Sequence, residues 1–274
     1  MDIGSVILTK RKTLGYTQQF LADKLHVSFQ AVSKWENGLA YPEIDLLPEI
    51  AAILEISVDA LLGYRSAVLT DYEKRYQTKD YYWGVVPNSI CYEIMKLRPP
   101  VKPLKVLDMG CGEGKDAVFL AKNGYLVSAF DVSDSGLEKG KRMAEKCGTY
   151  VDFFKANILD YQLSEKFDII FSSGVFHYIT PNIRIDIAEN LKQYTNENGV
   201  HAINVFVEKP FIKPAPDKEI TENYLWKSGE LFYYYHDWLL RRTDEVIFDC
   251  NSSGVPHQHC MDIMIAEKFQ RSVI

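Results

Sequence analysis

The stretch from Lys105 to Asp116, KVLDMGCGEGKD, decides the fold of most of this 274-residue chain. A short aliphatic run leads into Gly110, Gly112 and Gly114, and a segment with helical character follows. Glycines at a strand-to-helix turn let the backbone approach a ligand that side chains would exclude. The dinucleotide fingerprint G-x-G-x-x-G needs its third glycine where Lys115 stands, so the spacing disfavours NAD. A glycine-rich turn without a ligand is the alternative interpretation.

Three more segments follow at intervals typical of alternating strands and helices. Residues 127–131 indicate a second strand that ends in Asp131, 21 residues after Gly110. An acid at that distance is placed to accept hydrogen bonds from both hydroxyls of a ribose. Residues 151–158 indicate a third strand, and residues 167–178 a fourth with an aromatic exit. This alternation predicts an α/β, doubly wound, Rossmann-like sheet.

These segments together resemble the class I S-adenosylmethionine-dependent methyltransferases over about residues 75–268. The resemblance implies a seven-stranded sheet and S-adenosyl-L-methionine as the cofactor. It also implies cofactor contacts from the glycine loop, from the strand ends and from an aromatic segment before the core. The expected contacts are Tyr82, Trp83, Asp108, Gly110, Cys111, Gly112, Gly114, Asp131, Val132, Asn157, Ile158 and Ser173. For the two aromatic residues, packing of the first helix on the sheet is the alternative.

The C-terminal part carries candidate residues for binding a methyl acceptor. Residues 229–238 and 256–268 resemble the tellurite-resistance (TehB-type) methyltransferases, which implies tellurite or selenite as the acceptor. We expect four residues to line a polar acceptor pocket, namely His177, Arg241, His257 and His259. Ordinary core or surface positions are the alternative for the histidines.

The same region raises the question of a metal site. His257 and His259 are two residues apart in an expected strand, so their side chains lie on one face. Cys250 and Cys260 flank them, but the pattern C-x6-H-x-H-C matches no common zinc spacing. Cys260 would also point away from the histidines. We therefore predict no metal site.

Residues 1–64 differ from the rest of the chain in their pattern of apolar residues, which has short helical periods and no strand-like run. Thr17 and Ser28 are good N-caps for two successive helices. The segment 17–38 resembles the phage-repressor (Xre-type) helix-turn-helix family, with Val32 and Trp35 as core residues. The resemblance implies DNA as a partner and a homodimer that reads paired half-sites. The expected DNA contacts are Gln18, Ser28, Phe29, Gln30, Ser33 and Lys34.

The charge of this all-α unit is polarised. Residues 1–64 carry five Lys/Arg against eight Asp/Glu, but all five basic residues fall within residues 1–34. Such a unit can bind DNA with few phosphate contacts. Phe29 stands where this family more often has a polar or basic residue. Either it contacts a thymine methyl group, or the unit only dimerises.

We expect a helix-turn-helix domain over residues 1–64, a linker or exposed connecting helix over 65–79, and a methyltransferase domain over 80–274. Residues 208–226, which contain three prolines, are typical of a substrate lid. Five scattered cysteines fit reduced cytoplasmic thiols. No apolar run approaches the ~18 residues that a membrane span needs, and no signal peptide is evident.

The leading hypothesis is a cytoplasmic methyltransferase for a small polar molecule, fused to a DNA-binding regulator. The alternative is a transcriptional regulator whose second domain only senses S-adenosylmethionine or another ligand. DNA as the methyl acceptor is disfavoured, because residues 172–175 replace the Asn/Asp-Pro-Pro-Tyr motif of amino-DNA methyltransferases. The net charge of −6 also offers a nucleic-acid acceptor little attraction.

Overall fold

A computed structural model describes residues 3–62, 68–159, 161–213, 224–251 and 255–269. The chain divides into two compact units, Met1–Ala67 and Val68–Ile274. Most of the predicted lid, residues 214–223, lies outside the described residues. Within the described ranges, every helix is too short or too polar to cross a bilayer.

The first unit is built from short helices. They are α1 (Ile3–Thr13), α2 (Gln18–Lys24), α3 (Phe29–Glu36), a 3-10 turn (Ile44–Leu46), α4 (Leu47–Ile53) and α5 (Val58–Leu61). The predicted caps are present: the hydroxyl of Thr17 accepts from the Phe20 N–H, and that of Ser28 accepts from the Ala31 N–H. These contacts satisfy helix N–H groups that would otherwise lack partners. Val32 and Trp35 are buried in the core, as predicted.

The second unit alternates helices and strands. Its elements are α6 (Val68–Tyr76), α7 (Ser89–Leu97), β1 (Lys105–Met109), α8 (Lys115–Lys122), β2 (Leu126–Asp131), α9 (Asp134–Lys146), β3 (Asp152–Lys155), β4 (Phe167–Ser173), two 3-10 turns (Phe176–Tyr178 and Pro181–Ile183), α10 (Arg184–Gln193), β5 (Thr195–Val207), α11 (Glu230–Tyr233), β6 (Leu239–Cys250) and β7 (His257–Glu267).

These strands form one seven-stranded sheet in the order β3-β2-β1-β4-β5-β7-β6. The first five strands are parallel, and β7 pairs antiparallel with both β5 and β6. Apolar clusters cover both faces, as a doubly wound sheet requires. The strand order reverses between β1 and β4, and ligands of such sheets bind beyond the carboxyl ends of the strands at that point.

Within residues 65–79, where we expect a linker or an exposed connecting helix, residues 68–76 form helix α6. Helix α6 belongs to the second unit, with Tyr76 only 4% exposed. The Glu73 carboxylate accepts hydrogen bonds from the hydroxyls of Ser133 and Ser135, and from the Ser135 N–H. It therefore caps the start of α9. The sequence conceals this role because the partners of α6 lie some 60 residues away.

Candidate functional site

The turn between β1 and α8 is the glycine loop, residues 110–114. Gly110, Gly112 and Gly114 all have positive φ, at 73°, 53° and 81°. A Cβ atom on Gly110 would lie 2.5 Å from a methyl group of Val175. A Cβ on Gly114 would lie 2.9 Å from the Gly140 Cα, which is backbone and cannot move aside. The loop therefore depends on glycine for both its conformation and its close packing.

Asp131 lies at the end of β2, directly beside this loop. Its Oδ2 accepts from the Gly112 N–H at 2.8 Å, and its Oδ1 accepts from the Ser133 N–H at 2.9 Å. Burial raises the pKa of Asp131, while these backbone N–H groups act in the opposite direction by stabilising the carboxylate. The side chain is thus held in one orientation at the carboxyl edge of the sheet.

Asp108 lies in β1 below the loop and is 2% exposed. Burial and the neighbouring Asp116 raise the pKa of its carboxyl group well above the usual range. Its Oδ2 is one of three buried side-chain polar atoms without a hydrogen-bond partner in the described part of the chain. A buried acceptor of this kind needs a donor. The ammonium group of a bound amino-acid moiety would provide one.

Five aromatic side chains, which we call the aromatic cap, surround the glycine loop: Tyr72, Tyr76, Tyr82, Trp83 and Tyr178. The ring centroid of Tyr72 lies 5.7 Å from that of Tyr76, 6.3 Å from that of Trp83 and 6.2 Å from that of Tyr178. The Trp83 indole N–H donates to the Tyr76 hydroxyl at 3.0 Å. Tyr82 and Trp83, the two aromatic residues predicted to contact the cofactor, thus belong to this cap. Their partners Tyr72 and Tyr76 were missed because they fall in the predicted linker.

A buried ion pair fixes part of this cap. The Lys139 ammonium group lies 2.7 Å from the Glu113 carboxylate, and both side chains are almost completely buried. The same ammonium group donates to the Asp80 carbonyl at 2.6 Å. The other Glu113 oxygen accepts from the Trp83 N–H at 3.2 Å. The pair thus joins α9, the glycine loop and the aromatic segment.

The other predicted cofactor residues surround the same edge of the sheet. The Ser173 hydroxyl oxygen accepts from the side-chain amides of Asn88 and Asn204, at 3.0 and 2.9 Å. The Asn157 side chain accepts from the Leu159 N–H in the loop after β3. Three residues complete the set: Val132 follows β2, Ile158 is buried in the loop after β3, and the Cys111 N–H donates to the Phe130 carbonyl.

His177 follows β4 in a 3-10 turn and is 2% exposed. Its ring lies 4.2 Å from Tyr178 and 4.8 Å from Phe206, measured between centroids. Burial, with a smaller contribution from His259, lowers the pKa of His177 to about 3. Its imidazole is therefore neutral at pH 7, and its Nδ1 is another of the three partnerless buried atoms.

His257 and His259 lie at the start of β7, on one face of the strand as predicted. Their Nε2 atoms are 2.9 Å apart, and the His259 ring lies 4.9 Å from Phe206. Because β7 runs antiparallel to β5, its first residues lie beyond the carboxyl end of β5. Burial and the adjacent His257 lower the pKa of His259. His177 and this pair thus border the same aromatic residue.

Arg241 does not join these histidines, so that part of the predicted acceptor pocket is wrong. Its Nε lies 2.6 Å from the carboxylate of Glu267. Glu267 is the last residue of the eleven-residue strand β7, whereas His257 is the first. At about 3.4 Å per residue, the two ends of β7 are roughly 30 Å apart. Because β6 runs antiparallel to β7, Arg241 lies beside the last residues of β7, far from the histidines at its start.

The geometry fits the S-adenosylmethionine that the sequence resemblance implies. Val175 and Gly140 leave no room for a Cβ at Gly110 and Gly114 respectively, and Asp131 holds acceptor oxygens beside the glycine loop. The partnerless Oδ2 of Asp108 suits the ammonium group of the methionine moiety. The ribose and the amino-acid moiety would each have a complementary carboxylate at the ends of β1 and β2.

A second candidate site is the exposed side of α3 in the first unit. Phe29, Gln30 and Lys34 are exposed, Ser28 caps the helix, and Ser33 is half-buried. Gln18 differs: its side-chain amide donates to a Glu36 oxygen at 2.6 Å. This bond uses one of the two amide protons of Gln18, and the backbone N–H groups at the start of α2 are further donors for a phosphate. Gln30 and Lys34 are the polar groups that α3 presents outward.

The fold and both sites define a class of protein. The second unit has the seven-stranded, Rossmann-like fold of class I methyltransferases, and a helix-turn-helix unit precedes it. The chain belongs to the family described as "Tellurite resistance protein TehB", whose model matches residues 72–252. A second family model, described as "Helix-turn-helix", matches residues 7–61.

Two comparisons illustrate the relationship. The chain is 25% identical over 185 residues to the "Probable S-adenosyl-L-methionine-dependent methyltransferase TehB" of Haemophilus influenzae, covering 68% of this chain and 60% of that protein. It is 30% identical over 173 residues to "Hemagglutinin 1" of Eikenella corrodens, covering 61% and 56%. The chain thus spans less than two thirds of the length of these relatives.

Solved structures share the fold. The crystal structure of TehB from Haemophilus influenzae superposes with a TM-score of 0.59 at 23% identity, over 73% of this chain and 67% of that one. Magnesium protoporphyrin IX methyltransferase from Synechocystis, solved with bound S-adenosylhomocysteine, gives a TM-score of 0.56 at 15% identity, over 77% and 100%.

Proposed function

We propose that this chain is an S-adenosylmethionine-dependent methyltransferase for a small polar acceptor, joined to a sequence-specific DNA-binding module. The observation that carries the proposal is the glycine loop with Asp131 at the carboxyl ends of β1 and β2. The TehB relatives are named for the same cofactor, which supports it. We also propose a cytoplasmic location, since the five scattered cysteines fit reduced thiols.

Bound S-adenosylmethionine would supply an activated methyl group, which passes in line to a nucleophile with S-adenosylhomocysteine as the leaving group. The protein must therefore orient the two reactants and exclude water. Asp131 is placed to accept from the ribose hydroxyls, and the aromatic cap offers π-faces to a sulfonium, a contact of roughly 0.5–2 kcal/mol. The neutral His177 imidazole can hold the acceptor by one hydrogen bond.

The acceptor in this proposal is a compact polar molecule such as tellurite or selenite. Both have a lone pair on the central atom, so displacement needs positioning more than a strong base. The rings of His177 and His259 both pack against Phe206 near the carboxyl end of β5, and His257 lies beside His259, so the three could bind such a molecule. The family description, with its reference to tellurite, supports this class of acceptor.

The double variant His257→Ala, His259→Ala is expected to lower turnover while leaving the affinity for S-adenosylhomocysteine nearly unchanged. The reason is that both histidines lie beyond β5, whereas the cofactor residues lie at β1 and β2. A methyl-transfer screen with tellurite, selenite, thiols and small amines would measure turnover, and calorimetry the affinity.

His236→Ala is the matched control for that variant, because His236 is exposed in the segment after α11. Unchanged turnover in the double variant would place the acceptor pocket elsewhere. Methylation of another small molecule, with none of either oxyanion, would retain the reaction type and reject the acceptor.

We propose that the first unit binds a palindromic DNA site as a homodimer. Gln30→Ala is expected to relax base preference at one position per half-site, by about 1–3 kcal/mol of discrimination. Lys34→Ala is expected to weaken binding to all sequences and to reduce the salt slope by about one, if Lys34 contacts phosphate. Selection from random DNA and binding titrations at several salt concentrations would measure both effects.

Gln162→Ala is the control for this series, because Gln162 is exposed in the second unit. Enrichment of no sequence by the full chain would favour the alternative that residues 1–64 serve only as a dimerisation module.

A second candidate function is the sensing of S-adenosylmethionine by a regulator. The position of helix α6 favours this function. A Cβ on Gly112 would lie 2.9 Å from the Tyr76 hydroxyl, so α6 contacts the loop that would hold the cofactor. This helix is also the first element after the segment that joins the two units. DNA affinity that changes on adding S-adenosylhomocysteine, with no turnover of any acceptor, would support the sensor.

A further inference from the structure

The β6–β7 hairpin brings together three side chains with metal-ligating atoms. Antiparallel pairing places Cys250 directly opposite His257, with His259 two residues further along the same face. The Cys250 Sγ and one nitrogen of each histidine all lie within 4.8 Å of one another. All three residues are half-buried, so an ion can reach them from solvent.

The hydrogen bonds of His257 show that its Nε2 directs a lone pair toward this cluster. Its Nδ1 lies 2.8 Å from the Val255 carbonyl oxygen. Because a carbonyl can only accept, Nδ1 carries the proton and the Nε2 of His257 has the lone pair. That Nε2 faces the Nε2 of His259 at 2.9 Å. A backbone carbonyl that orients a ligating histidine in this way is the usual outer contact of a metal site.

The donor set selects a class of ion. Two imidazole nitrogens and a thiolate suit zinc and similar transition metals, whereas calcium and magnesium require oxygen ligands. With zinc–nitrogen distances of about 2.0–2.1 Å in a tetrahedral site, the two nitrogens would lie roughly 3.3 Å apart. The present separation of 2.9 Å therefore needs only a small rotation of the rings.

Residue spacing alone led us to predict no metal site, but the hairpin register brings Cys250 to the two histidines. We propose that Cys250, His257 and His259 form a binding site for one zinc-type divalent ion, with the fourth position open. Binding releases the Cys250 thiol proton to solvent, the His259 proton moves by exchange with solvent from Nε2 to Nδ1, and the ion forms one bond to sulfur and two to nitrogen. Phe206 and Phe248 pack against the His259 ring and so restrict its orientation. The site does not depend on methyl transfer, although it lies at the edge where we place the acceptor.

The test is a titration of the metal-free full chain with Co²⁺, followed by displacement with Zn²⁺. We expect one equivalent of Co²⁺ per chain and a thiolate-to-cobalt charge-transfer band. Cys250→Ser should remove the band. His257→Ala with His259→Ala should weaken Zn²⁺ binding by more than about a hundredfold, since even outer-shell changes cost ten- to a hundredfold.

Cys147→Ser and His236→Ala are the matched controls, because both residues are exposed and lie outside the cluster. They should keep the band and the affinity. Affinity for S-adenosylhomocysteine checks that each variant is folded and tests the cofactor site independently of the metal. The absence of saturable binding, or a charge-transfer band that survives in Cys250→Ser, would overturn the proposal. In that case the two histidines merely share a hydrogen bond.

Discussion

Asp131→Ala is expected to weaken the binding of S-adenosylhomocysteine by about a hundredfold, on the order of 3 kcal/mol. The carboxylate is held by the N–H groups of Gly112 and Ser133, so it is oriented before the ligand arrives. Its removal would take away about two hydrogen bonds to a charged acceptor. It would also leave the Gly112 N–H without its present partner, which adds to the loss.

Calorimetry with the purified full chain would measure this effect. Asp152→Ala is the control, because Asp152 is exposed at the other end of the neighbouring strand β3. Equal affinities for wild type and Asp131→Ala would contradict the placement of the ribose at β2. Tighter binding of NAD than of S-adenosylhomocysteine would contradict the choice of cofactor.

Lys139→Met is expected to destabilise the second unit by about 3–5 kcal/mol, because it leaves a buried carboxylate without its counter-ion. The Glu113 and Lys139 side chains are only 1% and 6% exposed. The variant should also weaken cofactor binding, since Lys139 donates to the Asp80 carbonyl and so holds the aromatic segment. Thermal or urea unfolding would measure the change, and stabilisation by S-adenosylhomocysteine would identify the transition of the second unit.

Lys141→Met is a matched control on the same helix. Its ion pair with Glu138 is about half exposed on both sides, so its loss should cost at most ~1 kcal/mol. The double variant Glu113→Gln, Lys139→Met should recover most of the stability, because no buried charge then remains. A loss in Lys139→Met no larger than in Lys141→Met would contradict the role of the buried pair.

Local chemistry made much of the fold predictable. Thr17 and Ser28 cap their helices through contacts to residues three positions away, and such signals are complete within a short segment. The glycine loop is equally local, because positive φ and close packing exclude other residues at these positions. Asp131 could be placed because one strand–helix–strand unit has a nearly constant length.

Long-range pairing made other features unpredictable. Helix α6 is polar on average, and its place in the second unit depends on Glu73 and Tyr76 meeting α9 and the glycine loop. Arg241 and His257 are close in sequence, yet the hairpin sends them to opposite ends of β7. The distance between two such residues depends on whether their strands pair parallel or antiparallel. Residue spacing in the sequence does not reveal that direction.

By itself, the sequence determined the two-unit organisation, the family, the cofactor loop and the outward face of α3, because each depends on contacts between near neighbours. Only the tertiary structure decided which distant groups share a site. The antiparallel register put Cys250 opposite His257, and the packing of α6 completed the aromatic cap. Burial also left His177 neutral, since desolvation disfavours the imidazolium. Register and burial arise when the whole sheet assembles, and no single segment encodes them.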